Sequence, residues 1–146
     1  MPLAHAHYGN RRSAGFSLIE VMIAVAVVAI LASIAVPSYR DYIKRGKRAA
    51  AQSVLMDLAA RQQAFLLDKR RYATSSSATE LKFASWPAEI AADYSMVPDP
   101  VAANNAASPP TFLITATATS SGVMTGDTPT TIDQNGTKLP VAYWKK

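Results

Sequence analysis

One carboxylate stands where carboxylates are rarely tolerated. Glu20 is the single charged residue in the 21-residue run FSLIEVMIAVAVVAILASIAV, from Phe16 to Val36. An acid within a membrane-spanning helix costs roughly 2.5–3.5 kcal/mol at its centre and less near an end, so such a residue calls for a partner. The other residues able to do chemistry are cations: Arg40, Lys44, Arg45, Lys47 and Arg48 crowd the stretch just past the apolar run. They suit anionic headgroups, acids on a protein partner or the phosphates of DNA. A solvated or partner-facing helix surface accounts for them without any ligand. Their pattern does not make an aromatic-interleaved basic platform of the kind that stacks bases.

Catalysis finds no support. The histidines are His5 and His7, and a spacing of two in a polar N-terminal stretch makes a poor metal pair. There is no Walker motif, no glycine-rich phosphate loop, and no nucleophile beside a base. Cysteine is absent, which removes disulfides and thiolate ligation together. The reading is therefore of a non-enzymatic chain with no cofactor and no metal.

The elements that must position Glu20 and the cations follow from composition. With 146 residues the chain has room for one small domain. Its formal charge of +5 is unevenly spread. From Arg40 to Arg71 there are nine Lys/Arg against Asp41, Asp57 and Asp68, whereas from Tyr72 onward four lysines face six acids. As a helix the apolar run would span about 30 Å, enough for a bilayer core. Beyond Pro37 a helical pattern resumes: Tyr39, Tyr42, Ile43, Ala50, Val54, Leu55, Leu58, Ala59, Phe65 and Leu66 fall three or four apart. Pro37 lacks the N–H that would close its turn, so a kink or local melting is expected there, and Gly46 is a second soft point. The helix is expected to stop near Arg71-Tyr72, before the polar run Thr74-Ser75-Ser76-Ser77.

Three readings of the N-terminal third compete. An ordinary secretory signal would use Arg11-Arg12 as its basic region and Ser33-Ile34-Ala35 as its cleavage site, but the apolar run is too long and carries an acid. A plain single-pass anchor leaves Glu20 unexplained. The third reading rests on Gly15-Phe16-Ser17-Leu18-Ile19-Glu20, which resembles the processing motif of type IV prepilins and of the related pseudopilins of type II secretion. That resemblance implies a leader, residues 1–15, removed after Gly15 by a prepilin peptidase on the cytoplasmic face. It implies N-methylation of the exposed Phe16 and retention of Glu20 for assembly. It also assigns Pro37 as the helix-weakening proline common in such proteins. The segment SYRDYIKRGKRAAAQSVLMDLAARQQAF is similar to the matching region of minor pilins of the PilE type.

Physical chemistry agrees with the resemblance. Removal of the leader would create an ammonium on Phe16, four residues before Glu20. In an apolar surrounding neither charge is stable alone, but the carboxylate of one subunit can neutralise the amine of its neighbour. Such a contact would set axial register as a buried polar residue does in a coiled coil. One feature opposes this topology: the flank of five cations after the run is more basic than Arg11 and Arg12 before it, which by the positive-inside rule alone favours a cytoplasmic C-terminus.

The remainder, residues 73–146, reads as a head of loops and strands. Ser85-Trp86-Pro87, Pro98-Asp99-Pro100 and Ser108-Pro109-Pro110 break the chain. Ala91–Val97 is a short strand candidate and Thr111–Thr119 the clearest strand. Thr130–Asp133 and Thr137–Val141 flank Asn135-Gly136, a hairpin signal. Asn135-Gly136-Thr137 also fits a glycosylation sequon, though the turn accounts for it. Trp86, Phe83, Phe112, Ile114, Tyr143 and Trp144 are core or rim candidates.

The expected fold class is α+β: a long N-terminal helix, with a membrane and filament part (16–38) and an amphipathic part (39–72), packed on three or four antiparallel strands as in the pilin fold. Many pilins close the C-terminal region with a disulfide, which this chain cannot form. The resemblance implies a minor structural subunit of a type IV pilus, held in the inner membrane before assembly and extracellular afterwards. Its partners would be the prepilin peptidase/N-methyltransferase and other pilin subunits, in a filament serving adhesion, twitching motility or DNA uptake. A pseudopilin of a type II secretion system and a DNA-binding competence pilin remain the alternatives.

Overall fold

The computed structural model describes residues 15–77, 79–97 and 99–144. Residues 1–14 of the expected leader, with His5, His7, Arg11 and Arg12, lie outside the described residues, as do Lys145 and Lys146. Contacts divide the chain into two units, one ending at Ser38 and the other beginning at Tyr39.

The first unit is helical. Helix α1 (Leu18–Lys69) begins where the Ser17 carbonyl accepts hydrogen bonds from the N–H groups of Glu20 (3.1 Å) and Val21 (3.2 Å). Its apolar segment has a mean hydropathy of 2.7, is long enough to cross a membrane, and is not buried by any of the described residues. The helical assignment continues through Pro37, so the expected local melting does not occur. One missing donor removes one rung of the ladder, and the flanking rungs keep the helix.

In the second unit, α1 turns a single stripe inward: Ala51, Leu55, Leu58 and Gln62 are buried, at intervals of four, three and four. Tyr39 and Tyr42, expected on that stripe, are instead exposed, because the head reaches the helix only further along. The helix ends at Lys69, slightly before the expected stop. Arg70 takes a left-handed conformation (φ 55°), and its N–H bonds the Leu66 carbonyl at 2.8 Å, which closes the last turn.

The sheet is an antiparallel meander in the order β1 (Val101–Asn104), β2 (Thr111–Ala116), β3 (Thr130–Asp133), β4 (Lys138–Leu139). Val101 lies opposite Ile114, and Ile114 opposite Ile132, so three buried side chains form a row across the sheet. Phe112 and Ala116 are buried on β2, whereas Leu113 between them is exposed, the period-two pattern of a one-sided sheet. The Asn135-Gly136 turn joins β3 to β4, with Gly136 at φ 73° as such a turn demands. Pro140 follows β4 directly and limits it to two residues before the short helix α2 (Val141–Trp144).

Two strand expectations change. Ala91–Val97 forms a turn and one isolated bridge, Tyr94 with Ala118, not a strand. Strand β1 arises between the breaks Pro98-Asp99-Pro100 and Ser108-Pro109-Pro110, where the sequence offers no strand candidate, since Ala102 and Ala103 carry almost no strand signal and gain it from pairing with β2.

The segment between α1 and β1 is held by side chains that imitate backbone. Gln62, fully buried, donates to the Ala73 carbonyl (2.9 Å) and accepts from the Ala73 N–H (2.8 Å). Asn105 does the same for Tyr72, at 3.0 and 2.8 Å. These bonds bring Tyr72, Phe83, Trp86 and Tyr94 into one core with Leu55, Leu58 and the sheet.

Candidate functional site

The residues that the resemblance assigns to processing and assembly, Gly15, Phe16 and Glu20, lie just before α1 and in its first turn. Phe16 is 82% exposed, and Glu20, four residues on, is exposed in the first helical turn. A carboxylate there is favoured by the positive end of the helix dipole. Phe16, Glu20, Val21, Ala24, Val25 and Val28 border one shallow recess of about 470 Å³. Each larger apolar side chain from Leu18 to Val36 is at least half exposed. So large an uncovered apolar surface belongs in lipid or against other helices. Pro37 lies at the far end of this surface.

The five cations have separate fates. Lys47 forms an ion pair with Asp93 and Arg48 one with Asp127; both carboxylate side chains are only 5% exposed. Arg48 binds Asp127 through two nitrogens, its Nε donating to Oδ2 at 2.8 Å, and its guanidinium lies 4.0 Å from the centre of the Tyr143 ring. The hydrogen bond to Asp127 raises the Arg48 pKa still further, against the opposing effect of burial. Tyr94 packs beside the two acids. Burial, then the Asp127 carboxylate, pushes its hydroxyl up to about 12, with Arg48 pulling the other way. Arg40, Lys44 and Arg45 enter no ion pair among the described residues. In the folded head the flank thus offers, among the described residues, three cations outside ion pairs, not five.

Sequence reasoning missed what α2 adds. Tyr143 and Trp144, 95 and more residues from the basic run in sequence, return to the side of α1. Gln52 Nε2 bonds the Tyr143 carbonyl at 2.8 Å, and the Tyr143 hydroxyl reaches Asp127 at 3.4 Å. Between α1 and α2 runs a groove of about 540 Å³, lined by Arg45, Arg48, Lys138, Tyr143 and Trp144 among others, with no acidic side chain in its wall. The fold thus brings two further aromatic residues, distant in sequence, beside the basic run. No signal short of the tertiary structure could have paired Trp144 with Arg45.

Comparison with known proteins covers both parts of the chain. Residues 10–36 match the prokaryotic N-terminal methylation motif, and residues 37–131 match a family model described as type IV minor pilin ComP, DNA uptake sequence receptor. Among curated relatives, the type IV major pilin protein PilA of Myxococcus xanthus is 43% identical over 75 residues, covering 51% of this chain and 33% of that one. A fimbrial protein of Pseudomonas aeruginosa is 35% identical over 69 residues, covering 47% and 45%. The type IV major fimbrial protein FimA of Dichelobacter nodosus is 52% identical over 40 residues, covering 27% and 25%. The chain thus spans less than half the length of each of these relatives. No solved structure matches it. The methylation motif ends at Val36 where the minor-pilin match begins at Pro37, and the second match takes in the rest of α1, β1, β2 and the start of β3, more than half of the chain; the chain belongs to the type IV minor pilins of the ComP family.

Proposed function

We propose that the protein is a minor structural subunit of a type IV pilus. Prepilin peptidase removes residues 1–15 after Gly15 and methylates Phe16, and α1 then passes from the inner membrane into the core of an extracellular filament. The observation that carries this reading is the placement of Glu20. It is the one charge on an otherwise apolar, uncovered helix surface, four residues from the residue that processing would make N-terminal. Exchange of lipid for like helices leaves the apolar surface satisfied, and pairing of Glu20 with a neighbour's ammonium removes the cost of burying either charge. Mass spectrometry of the mature protein tests it. A methylated Phe16 at the N-terminus is expected, with Gly15→Val accumulating as precursor in the membrane; normal-sized product from that variant refutes the site.

A second activity, DNA uptake, is favoured by one specific observation: the matched family model is described as a DNA uptake sequence receptor. In this chain Arg40, Lys44 and Arg45 are the cations of the basic run left free to meet phosphate. Binding of DNA by the purified protein, weakening steeply with salt, is the expected result.

A further inference from the structure

We propose that the segment Tyr39–Arg45 is an anchor for the headgroups of anionic phospholipids, which it meets through Arg40, Lys44 and Arg45 while α1 lies in the bilayer. The inference rests on the reading of α1 as a membrane helix and names the partner of the cations that follow it.

Three observations carry it. First, uncompensated charge in the basic run is confined to the end nearest the apolar segment. Arg40, Lys44 and Arg45 enter no ion pair among the described residues, whereas the next two cations, Lys47 and Arg48, are tied to Asp93 and Asp127. The segment holds a single acid, Asp41, so it stays positive. Second, the segment stands where a helix leaving a bilayer meets headgroups. Tyr39 follows the end of the apolar run at Val36 by three residues. The polar layer adds about 5–8 Å to each side of the hydrocarbon core, which is about three to five helical residues. Long side chains let Lys44 and Arg45 reach back into it. Third, Tyr39 and Tyr42 are 67% and 66% exposed, left uncovered by the head. A tyrosine with its ring toward acyl chains and its hydroxyl toward water is a marker of the membrane interface. Cations on the far side of the bilayer run against the positive-inside rule, and anionic headgroups in that leaflet give them a counter-charge.

The test reconstitutes the full-length mature protein in vesicles. Electron spin resonance then reads the association of spin-labelled phosphatidylglycerol relative to spin-labelled phosphatidylcholine. The wild type is expected to prefer phosphatidylglycerol severalfold at low salt, with the preference fading by about 0.5 M salt as screening sets in. Arg40→Gln, Lys44→Gln and Arg45→Gln should each lower the preference by up to about fivefold, the effect of one cation near an anionic surface. The triple variant should abolish it. Lys82→Gln, an exposed cation elsewhere in the head, should leave it unchanged. Equal association of the two lipids with the wild type overturns the anchor, as does a preference that survives in the triple variant. If that variant loses binding to a DNA duplex instead, the cations belong to nucleic acid. Flotation with pure phosphatidylcholine vesicles after a carbonate wash keeps the two readings apart: protein that fails to float there overturns the membrane helix, and the anchor with it. Circular dichroism of each variant in the same vesicles separates lost lipid contact from lost fold.

Discussion

Arg48 on α1 grips Asp127, 79 positions further along the chain, through two nitrogens at once, with the Tyr143 ring laid over the guanidinium. Beside it Lys47 grips Asp93. Consecutive residues of one helix thereby anchor two separate loops and, through Tyr143, the C-terminal helix. In a head without cysteine this clasp, with the Gln52 bond to the Tyr143 carbonyl, ties the helix to the C-terminal segment.

Removing one partner of such a pair strands the other charge where little water reaches it. Asp127→Asn or Arg48→Gln should therefore destabilise the head by about 3 kcal/mol. The double variant Arg48→Met/Asp127→Leu should recover a good part of that loss, since no charge is left uncompensated. Denaturant unfolding of the detergent-solubilised protein measures all of them, and a single variant as stable as wild type would show the clasp to be incidental.

Gly122 bears on the neighbouring pair. It sits at φ 94°, and a Cβ there would lie 3.2 Å from Asp93 Oδ1. Gly126 also has a positive φ, 75°, but a Cβ on it meets nothing within 4 Å. Gly126→Ala should cost only the backbone penalty, about 1–2 kcal/mol. Gly122→Ala should cost measurably more, because it also pushes on the carboxylate that holds Lys47. Equal melting temperatures for the two variants would contradict the coupling.

The large elements were legible because their signals are local. The apolar run, the three-and-four spacing of Leu55, Leu58 and their neighbours, and Asn135-Gly136 each carry their structure within a few residues. Strand β1 was hidden because Ala102 and Ala103 are made extended by β2 and not by their own propensity. The basic run was legible as charge but not as function: only the fold reveals that Lys47 and Arg48 are tied to Asp93 and Asp127 while Arg45 stays free. Gly15, Phe16 and Glu20 stand out in the sequence because the motif they resemble is a linear stretch of chain.

Glu80 gives the head a dependence on acid. Its carboxylate bonds Arg71 at 2.9 Å and the N–H groups of Thr74 and Ser75 at 2.8 and 3.0 Å. Burial disfavours its charge, but the bonds from Arg71, Ser75 and Thr74 outweigh that and hold the carboxyl below its ordinary value of 4.5. A carboxyl lowered on folding adds stability above its unfolded pKa and loses it as pH falls through the folded one. Glu80→Gln should thus be less stable than wild type by about 1–2 kcal/mol at pH 7, the worth of charge-assisted bonds at a partly exposed site. The difference should begin to shrink once the pH drops below about 4.5 and vanish in stronger acid. Melting curves of both proteins across that range decide it, and a constant gap would assign the effect to packing.

Glu20 should matter to assembly and not to folding or processing. Its side chain is exposed in the first turn of α1, and a cut after Gly15 leaves it untouched. Within a bundle of apolar helices, however, each Phe16 ammonium would need a carboxylate, and Glu20 is the one acid this surface offers. Glu20→Ala should mature normally yet enter filaments poorly, with the loss of about 3 kcal/mol per contact lowering incorporation on the order of a hundredfold. Glu20→Asp, which keeps the charge on a shorter arm, should fall between. Quantifying each variant in sheared filaments against the membrane pool measures this. Were Glu20→Ala incorporated as well as wild type, the ammonium would have some other neutraliser, and the register of the helices would have to be set elsewhere on α1.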